Sequence, residues 1–388
     1  MLRTAYSRVH FATLLIAAVL LPLPGSGQQD LKREGNTWSR TYTGSLAPQA
    51  RLEVDSHGPV MLEGGSSGAF TYTVKLSVMA QNEAEARRLF DRLAALHVLS
   101  ERGVTALIAP SGRVLSTVTV KAPHLGSAFV RTTEGGIDAR EIDGNLEVQA
   151  VGELKVDRVG GDCNLFTAGG DITIGEISGN LHCTTRAGRI AVKSVKGEAV
   201  MVTDGGDIEA GHMGGSVMAH TAGGSVHVAT AVGTVNLTTG GGELQVDKAS
   251  GQVIARNMLG PVTISGAAGG VQCENASGGI RVSNITGPMH ISTAMGSILA
   301  NLAGSRIADS LLATANGDIT VMIPSNVGVT IRAQNEMSDT MRRIVSDFPT
   351  IKLERQASRL VAMGPVNGGG PLLQIAAMSG TIYIRRQR

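Results

Sequence analysis

Residues 188–214 read GRIAVKSVK, GEAVMVTDG and GDIEAGHMG, three consecutive units of nine residues that each begin with glycine. The same spacing continues without a gap from Gly152 to Gly296, so that seventeen glycines lie nine residues apart. A fixed period of this kind is typical of repeat architectures, in which stacked units share one core. The whole stretch is therefore best interpreted as one repeating structure.

Each unit alternates between apolar and polar residues. The second and fourth residues after each glycine are apolar, as in Ile190 and Val192 or Ile208 and Ala210, and the residue between them is mostly polar. Alternation with period two predicts a short strand with one buried face. Glycine before the strand predicts a tight turn, because glycine adopts backbone conformations that other residues resist.

A second period of eighteen residues lies on top of the first. Every second unit carries threonine or asparagine at one position: Thr167, Thr185, Thr203, Thr221, Thr239, Asn257, Asn275 and Thr293. Two unlike strands therefore make one coil, and stacked coils give two parallel sheets around a narrow apolar core. With strands about 4.8 Å apart, we expect about eight coils in a rod of roughly 40 Å. Parallel crossovers are usually right-handed, so we predict an all-β fold, a right-handed parallel β-solenoid.

The regions outside the repeat predict a leader and two caps. We divide the chain into a signal peptide (1–27), an N-terminal α/β cap of strands and one helix (28–125), the glycine-repeat solenoid (126–325), and a C-terminal loop with closing strands (326–388). The helix is expected over 82–99, with Asn82 as its N-cap. Residues 333–350 are expected to form a loop or short helix. An open solenoid needs such ends to prevent edge pairing.

The first residues indicate export. Arg3 and Arg8 precede a short apolar run at 11–21, and Gly25 and Gly27 are small residues suited to cleavage. The run is too short for a comfortable membrane span. We therefore expect an exported protein of the periplasm, cell envelope or extracellular space, without a transmembrane segment after signal cleavage.

The charge balance argues against nucleic acid as a partner. The chain has 34 Lys and Arg against 32 Asp and Glu, and removal of Arg3 and Arg8 leaves 32 of each. A net charge of zero gives no basic surface for phosphates. Aromatic residues make up 3% of the chain, and Trp38 is the one tryptophan, which disfavours lectins that rely on aromatic platforms.

We assign no catalytic, cofactor-binding or metal-binding residue, since each candidate has a simpler structural interpretation. The turns lack the Gly-Gly-x-Gly-x-Asp pattern of calcium-binding β-rolls. Stacked Asp171, Arg189 and Asp207 are interpreted as a ladder of alternating charge. Further candidates are scattered along the repeat: the carboxylates Asp162, Glu198, Glu209 and Glu243, the outward histidines His182, His227 and His290, the turn histidines His212 and His220, and the inward cysteines Cys163, Cys183 and Cys273, expected to be buried thiols.

Several segments together resemble one bacterial family. They are Glu83-Ala-Glu-Ala-Arg-Arg-Leu-Phe, the Gly-x-(Ile/Val/Leu)-x-(Val/Ile) units, Asn316-Gly-Asp-Ile-Thr-Val-Met-Ile-Pro, Asn367-Gly-Gly-Gly-Pro and Ser379-Gly-Thr-Ile-Tyr-Ile. In these the chain is similar to the exported "putative adhesin" family, a domain of unknown function. The resemblance implies a β-solenoid in the cell envelope, and it supplies no catalytic residues.

The sequence thus favours a non-catalytic exported surface protein, an adhesin or scaffold that presents a repetitive face to an envelope component, protein or polysaccharide. Two alternatives remain open. Parallel β-helices also host polysaccharide-degrading enzymes, and carboxylates gathered in a groove would favour that alternative. The third hypothesis is a component of the envelope-stress or antimicrobial-peptide response.

Overall fold

The computed structural model is an all-β protein, about 3% helical, built on a parallel β-solenoid of about 11 turns of roughly 18 residues each. It describes residues 27–28, 31–65, 68–93, 96–101, 103–110, 112–303, 307–336, 343–356 and 359–387. The predicted signal peptide therefore lies almost entirely outside the described residues. The all-β solenoid predicted from the nine-residue period is confirmed, and its handedness remains a prediction.

The described residues of the N-terminal region form nine strands and one helix: β1 (Gly27–Gln28), β2 (Lys32–Glu34), β3 (Thr37–Leu46), β4 (Arg51–Ser56), β5 (Val60–Glu63), β6 (Phe70–Met79), α1 (Glu83–Leu93), β7 (His97–Glu101), β8 (Val104–Ile108) and β9 (Leu115–Lys121).

The regular repeat carries twenty strands: β10 (Ser127–Thr132), β11 (Ile137–Ile142), β12 (Asn145–Ala150), β13 (Leu154–Val159), β14 (Cys163–Thr167), β15 (Ile172–Ile177), β16 (Leu181–Thr185), β17 (Ile190–Val195), β18 (Ala199–Thr203), β19 (Ile208–Met213), β20 (Val217–Thr221), β21 (Val226–Ala231), β22 (Val235–Thr239), β23 (Leu244–Ala249), β24 (Val253–Leu259), β25 (Val262–Ile264), β26 (Val271–Ser277), β27 (Ile280–Ser283), β28 (Met289–Met295) and β29 (Ile298–Asn301).

In the C-terminal region, the part of the chain that the structure describes adds eight strands: β30 (Ser310–Asn316), β31 (Ile319–Ile323), β32 (Val329–Asn335), β33 (Ile344–Ser346), β34 (Lys352–Gln356), β35 (Arg359–Val366), β36 (Leu372–Ser379) and β37 (Ile382–Arg386).

The strands of the repeat alternate between two sheets. The even-numbered strands β10 to β30 pair in parallel in one sheet, and the odd-numbered strands β11 to β31 pair in parallel in the other. We call them the even sheet and the odd sheet; with their end strands they contain 18 and 19 strands. The apolar residues of each unit face inward between the sheets, and Ile190, Val217 and Val226 are all nearly inaccessible to solvent.

The regular stacking begins before Gly152 and continues past Gly296, so that the coils from β10 and β11 to β30 and β31 make about 11 turns, more than the eight expected from the glycine period. Parallel pairing also extends beyond these coils at both ends. At the N-terminal end, β4 pairs in parallel with both β8 and β10, and β5 with both β9 and β11. The coil formed by β4 and β5 is therefore inserted between a coil that follows it in sequence and the start of the regular repeat.

The C-terminal end has the same arrangement. β36 lies between β30 and β32, and β37 lies between β31 and β33, all in parallel. The last coil of the chain is thus flanked on both sides by earlier strands. The outermost strand of the even sheet, β34, is exposed along its whole length and carries Lys352, Glu354 and Arg355, and such charges oppose edge-to-edge pairing.

Two expectations for the end regions are wrong in part. The helix ends at Leu93 and not at 99, because residues 97–99 belong to β7, which pairs antiparallel with β8. Its start is as predicted, since the backbone N–H of Glu85 donates to Asn82 Oδ1 at 2.9 Å. Within the predicted loop 333–350, the described residues include the end of β32 and the whole of β33, whereas 337–342 lie outside the described residues.

The repeat glycines from Gly152 to Gly251 are required by close stacking and not by an unusual backbone conformation. None of them from Gly152 to Gly251 has a positive φ, so the turn argument made from the sequence is wrong for these positions. At Gly206 an added Cβ would lie 2.0 Å from the carbonyl oxygen of Gly188 on the preceding coil. A side chain there would force neighbouring coils apart.

The threonine row closes the corner beside these glycines. The Thr203 hydroxyl donates to the Gly188 carbonyl oxygen at 3.0 Å and accepts from the Gly206 N–H at 3.2 Å. The donated bond to a glycine carbonyl recurs from coil to coil, and the side-chain amide of Asn257 makes it to Gly242 at 2.9 Å. The row is buried, so it satisfies polar backbone groups of the corner.

Candidate binding surface

The outward face of the odd sheet carries ion pairs from β11 to β17. Arg140 Nε lies 2.8 Å from Asp138 Oδ1, Arg158 Nη1 lies 2.6 Å from Asp157 Oδ2, and Lys193 Nζ lies 2.9 Å from Glu176 Oε1. The ammonium group of Lys193 lowers the pKa of Glu176, and the carboxylate of Glu176 in turn raises the pKa of Lys193.

The same sheet carries a hydrogen-bonded cluster further along. His227 Nε2 lies 2.9 Å from Asp247 Oδ2, and the side-chain amide of Gln245 donates to Asp247 Oδ1 at 2.8 Å. Burial raises the pKa of Asp247, but the hydrogen bonds from Gln245 and His227 outweigh this effect and lower the pKa overall. The polar groups of this face are thus largely satisfied by one another.

The even sheet differs. Beyond the residue that directly follows each turn glycine, the strands β12, β14, β16, β18, β20 and β22 each present two outward side chains, listed in order as Glu147, Gln149, Asn164, Phe166, His182, Thr184, Val200, Val202, Met218, His220, Asn236 and Thr238. Not one of the twelve forms an ion pair or a side-chain hydrogen bond with another of the described residues. This face keeps its donors, acceptors and apolar groups available.

A shallow groove of about 700 Å³ runs along one half of this face, from β4 to β18. Its floor follows successive strands, since Glu147, Asn164, His182 and Val200 are register partners in β12, β14, β16 and β18. Neighbouring strands lie about 4.8 Å apart, so one side chain is presented per coil at a regular interval. Phe129 continues this row on the N-terminal side of Glu147, and Glu53 of β4 is the next residue in register.

One wall of the groove is fixed by hydrogen bonds that connect successive coils. Asn145 Oδ1 accepts from the backbone N–H of Asp162 at 2.9 Å, Asp162 Oδ1 from the N–H of Asn180 at 2.8 Å, and Asn180 Oδ1 from the N–H of Glu198 at 2.9 Å. Each residue directly follows a turn glycine. These bonds hold the side chains of the wall in place before any ligand arrives.

The same kind of bond corrects the interpretation of Asp171, Arg189 and Asp207. Asp171 Oδ1 accepts from the backbone N–H of Arg189 at 2.8 Å, and Asp207 Oδ1 accepts from the backbone N–H of Ser225 at 2.7 Å. The guanidinium of Arg189 instead pairs with Glu209. The two aspartates therefore join coils through the backbone and do not form a charge ladder with Arg189.

The other candidates separate between the two sheets. Asp162, Glu198 and His182 line the groove, whereas Glu209 and His227 lie on the odd sheet. Glu243 follows a turn glycine, and its N–H donates to Ser225 Oγ. His290 lies in β28 of the even sheet, outside the groove. His212 and His220 were expected in turns, but they lie within β19 and β20.

The cysteines lie at inward positions and are free thiols. Burial raises the pKa of Cys163 and of Cys273 to about 12, and it also raises the pKa of Cys183. Cys163 pairs in register with Leu181, and Cys183 pairs in register with Leu165. Cys163 and Cys183 are therefore one coil apart and two residues out of register. The prediction of buried thiols is confirmed.

Within the described part of the chain, no three His, Cys, Asp or Glu side chains are grouped so that they could hold a metal ion. No helix among the same residues is long and apolar enough to cross a membrane.

Comparison with known proteins gives low-identity similarity to solved structures. The chain is similar to a crystal structure described as a "putative adhesin" from Bacteroides fragilis NCTC 9343, with 13% identity, a TM-score of 0.29, and coverage of 68% of this chain and 97% of that one. It is also similar to a "putative cell adhesion protein" from Clostridium sporogenes ATCC 15579, with 9% identity, a TM-score of 0.17, and coverage of 90% and 100%.

A third similar structure is described as a "Putative lipid binding protein" from Parabacteroides distasonis ATCC 8503, with 12% identity, a TM-score of 0.19, and coverage of 91% and 98%. No protein-family model and no curated protein matches this chain. The first two structures carry the kind of description that the sequence resemblance implies.

Proposed function

We propose that this chain is a non-catalytic exported surface or cell-envelope protein, an adhesin or scaffold, which binds another envelope component through the outward face of the even sheet. The observation that carries the proposal is the contrast between the sheets. Charged side chains of β11 to β17 in the odd sheet pair with each other, whereas the twelve outward side chains of β12 to β22 named above have no partner among the described residues.

The shape of the face supports binding over catalysis. The groove is shallow and extends over several coils, which suits a long contact better than an enclosed reaction site. Apolar side chains continue the face beyond the groove, and Met218 is 49% exposed. Hydrogen-bonding groups beside exposed apolar groups are the combination from which protein binding sites are made.

The test is co-sedimentation of purified residues 28–388 with bacterial envelope fractions. We expect capture that is weakened by Val200→Lys on the even sheet and unchanged by Thr173→Lys, its counterpart on the odd sheet. Equal capture of both variants would contradict the assignment of the binding face.

Polysaccharide cleavage is the second candidate function, and one observation favours it: Glu53, Glu147, Asp162 and Glu198 all line the groove. Two of the four are engaged, since Arg51 pairs with Glu53 at 2.7 Å and Asp162 accepts a backbone hydrogen bond. A panel of bacterial and plant polysaccharides should yield no new reducing ends or unsaturated products. Turnover that is lost in the Glu147→Gln variant would favour polysaccharide cleavage over binding alone.

A further inference from the structure

We infer that the groove of the even sheet binds an extended, uncharged glycan whose chain runs along the solenoid axis, one sugar unit to each coil. The inference rests on the proposed function and names the ligand class of the same face. Three features carry it: the spacing of the floor residues, the mixed hydrogen-bonding character of the groove, and its charge.

The spacing favours an extended polymer. Glu147, Asn164 and His182 are register partners on three successive strands, so their side chains repeat at about 4.8 Å. This interval is close to the length of one hexopyranose unit in an extended chain. A ligand that lies across the strands therefore meets an equivalent polar side chain at each unit.

The hydrogen-bonding character favours hydroxyl groups, which both donate and accept. The floor offers Glu147 as an acceptor, and Asn164 and His182 as groups that can both donate and accept hydrogen bonds. In the wall, Asn145 and Asn180 use their Oδ1 atoms to accept backbone N–H groups. Their Nδ2 atoms have no partner among the described residues, so they remain available as donors.

These wall residues are also preorganised. Because hydrogen bonds to the next coil already fix the side chains of Asn145, Asp162 and Asn180, ligand binding costs little side-chain entropy there. A half-buried Phe129, beside Glu147 in the row, offers one flat apolar surface. The low aromatic content of the chain is compatible with this site, because recognition relies on polar groups.

The charge of the groove disfavours acidic glycans. Glu147, Asp162 and Glu198 face it without a cationic partner among the described residues, whereas Arg51 is paired with Glu53. Carboxylates on a ligand would be repelled by these groups. An uncharged glycan avoids that repulsion, and its binding should change little with salt concentration.

The experiment is calorimetric titration of residues 28–388 with cellohexaose, chitohexaose and an oligogalacturonate of matched length. We expect binding of at least one uncharged oligosaccharide, weaker or no binding of the oligogalacturonate, and little dependence on salt. Asn164→Ala and His182→Ala should each weaken binding about 2- to 10-fold, the range expected for one lost hydrogen bond between uncharged groups. Thr173→Ala on the odd sheet is the matched control and should bind like the unmodified chain.

Tighter binding of the oligogalacturonate would overturn the charge argument. Equal weakening by Asn164→Ala and Thr173→Ala would overturn the placement in the groove. If no oligosaccharide binds while the protein still co-sediments with envelope fractions, the glycan inference is wrong and the proposed function stands. If the protein binds no oligosaccharide and also fails to co-sediment with envelope fractions, the proposed function is wrong as well.

Discussion

The two sheets of the solenoid are alike inside and different outside. Both bury one apolar residue at every second position, and neighbouring strands stay in register from coil to coil. Outside, the odd sheet joins Asp138 to Arg140 and Glu176 to Lys193, whereas outward residues of the even sheet such as Asn164 and His182 make no such pairs with described residues. The inward pattern therefore determines the fold, and the outward side chains distinguish a self-satisfied face from one able to bind a partner.

The largest effect should come from reversing inside and outside within one strand. Val217 faces the core of the even sheet, and its neighbour Met218 faces solvent. Val217→Asp would bury a charge without a partner and should cost about 3–5 kcal/mol of stability. Met218→Asp should change it by less than about 0.5 kcal/mol. Urea denaturation followed by circular dichroism measures both, and similar losses would refute the inward and outward assignment.

A slightly smaller effect is expected where coils touch. Gly206→Ala would place a methyl group 2.0 Å from the Gly188 carbonyl oxygen, and relief of this overlap should cost about 2–3 kcal/mol. Gly205→Ala is the adjacent control, because an added Cβ there meets nothing within 4 Å. Thermal denaturation should separate the two variants. If Gly206→Ala melts like the unmodified protein, the glycine period does not reflect close stacking.

The corner that holds the threonine row should show an effect of intermediate size. Thr203→Val keeps the shape of the side chain but removes both its hydrogen bonds, to Gly188 and from Gly206. Leaving buried backbone groups unpaired should cost about 1–3 kcal/mol. Thr184→Val on the outward face of the even sheet should be close to neutral. A neutral Thr203→Val would show that the buried row is not needed for backbone satisfaction.

The smallest effect should come from the ion pairs of the odd sheet. The pKa of Glu176 is lowered by Lys193, so the pair stabilises the fold above the ordinary glutamate pKa, and this contribution disappears as the pH falls through the lowered pKa. Carboxyl NMR titration should give Glu176 a pKa below that of an unpaired glutamate. Lys193→Ala should raise the pKa of Glu176 toward the ordinary value. An unchanged pKa of Glu176 in this variant would show that the pair does not contribute to stability.

The strands and their inward residues could be predicted because period two and period nine are local properties of the sequence. The order of the end coils could not. Residues 51–63 satisfy the same pattern as other units, and only long-range pairing places β4 between β8 and β10, and β5 between β9 and β11. The end of α1 was missed because the apolar spacing continues through Leu96, although residues 97–101 gain more by pairing with β8.

The candidate surface was harder to predict than the fold. The sequence identified Asp162, His182 and Glu198 as separate candidates, but it did not indicate that all three line one groove. The backbone bonds made by Asn145 and Asp171 also leave a signal, since Asp, Asn or Ser recurs after the turn glycines. A carboxylate and a guanidinium eighteen residues apart suggest an ion pair before they suggest a backbone contact, so the sequence pattern alone does not distinguish the two.

Carboxyl footprinting by carbodiimide labelling and mass spectrometry tests the central claim most directly, because it compares both faces in one sample. Labelling of Glu147 and Glu198 in the groove is compared with labelling of Asp157 and Glu209 on the odd sheet, with and without bound envelope fraction. If the even sheet is the binding face, Glu147 and Glu198 should be protected, and the labelling of Asp157 and Glu209 should be unchanged. Protection of Asp157 and Glu209, with Glu147 and Glu198 still labelled, would place the binding face on the opposite sheet.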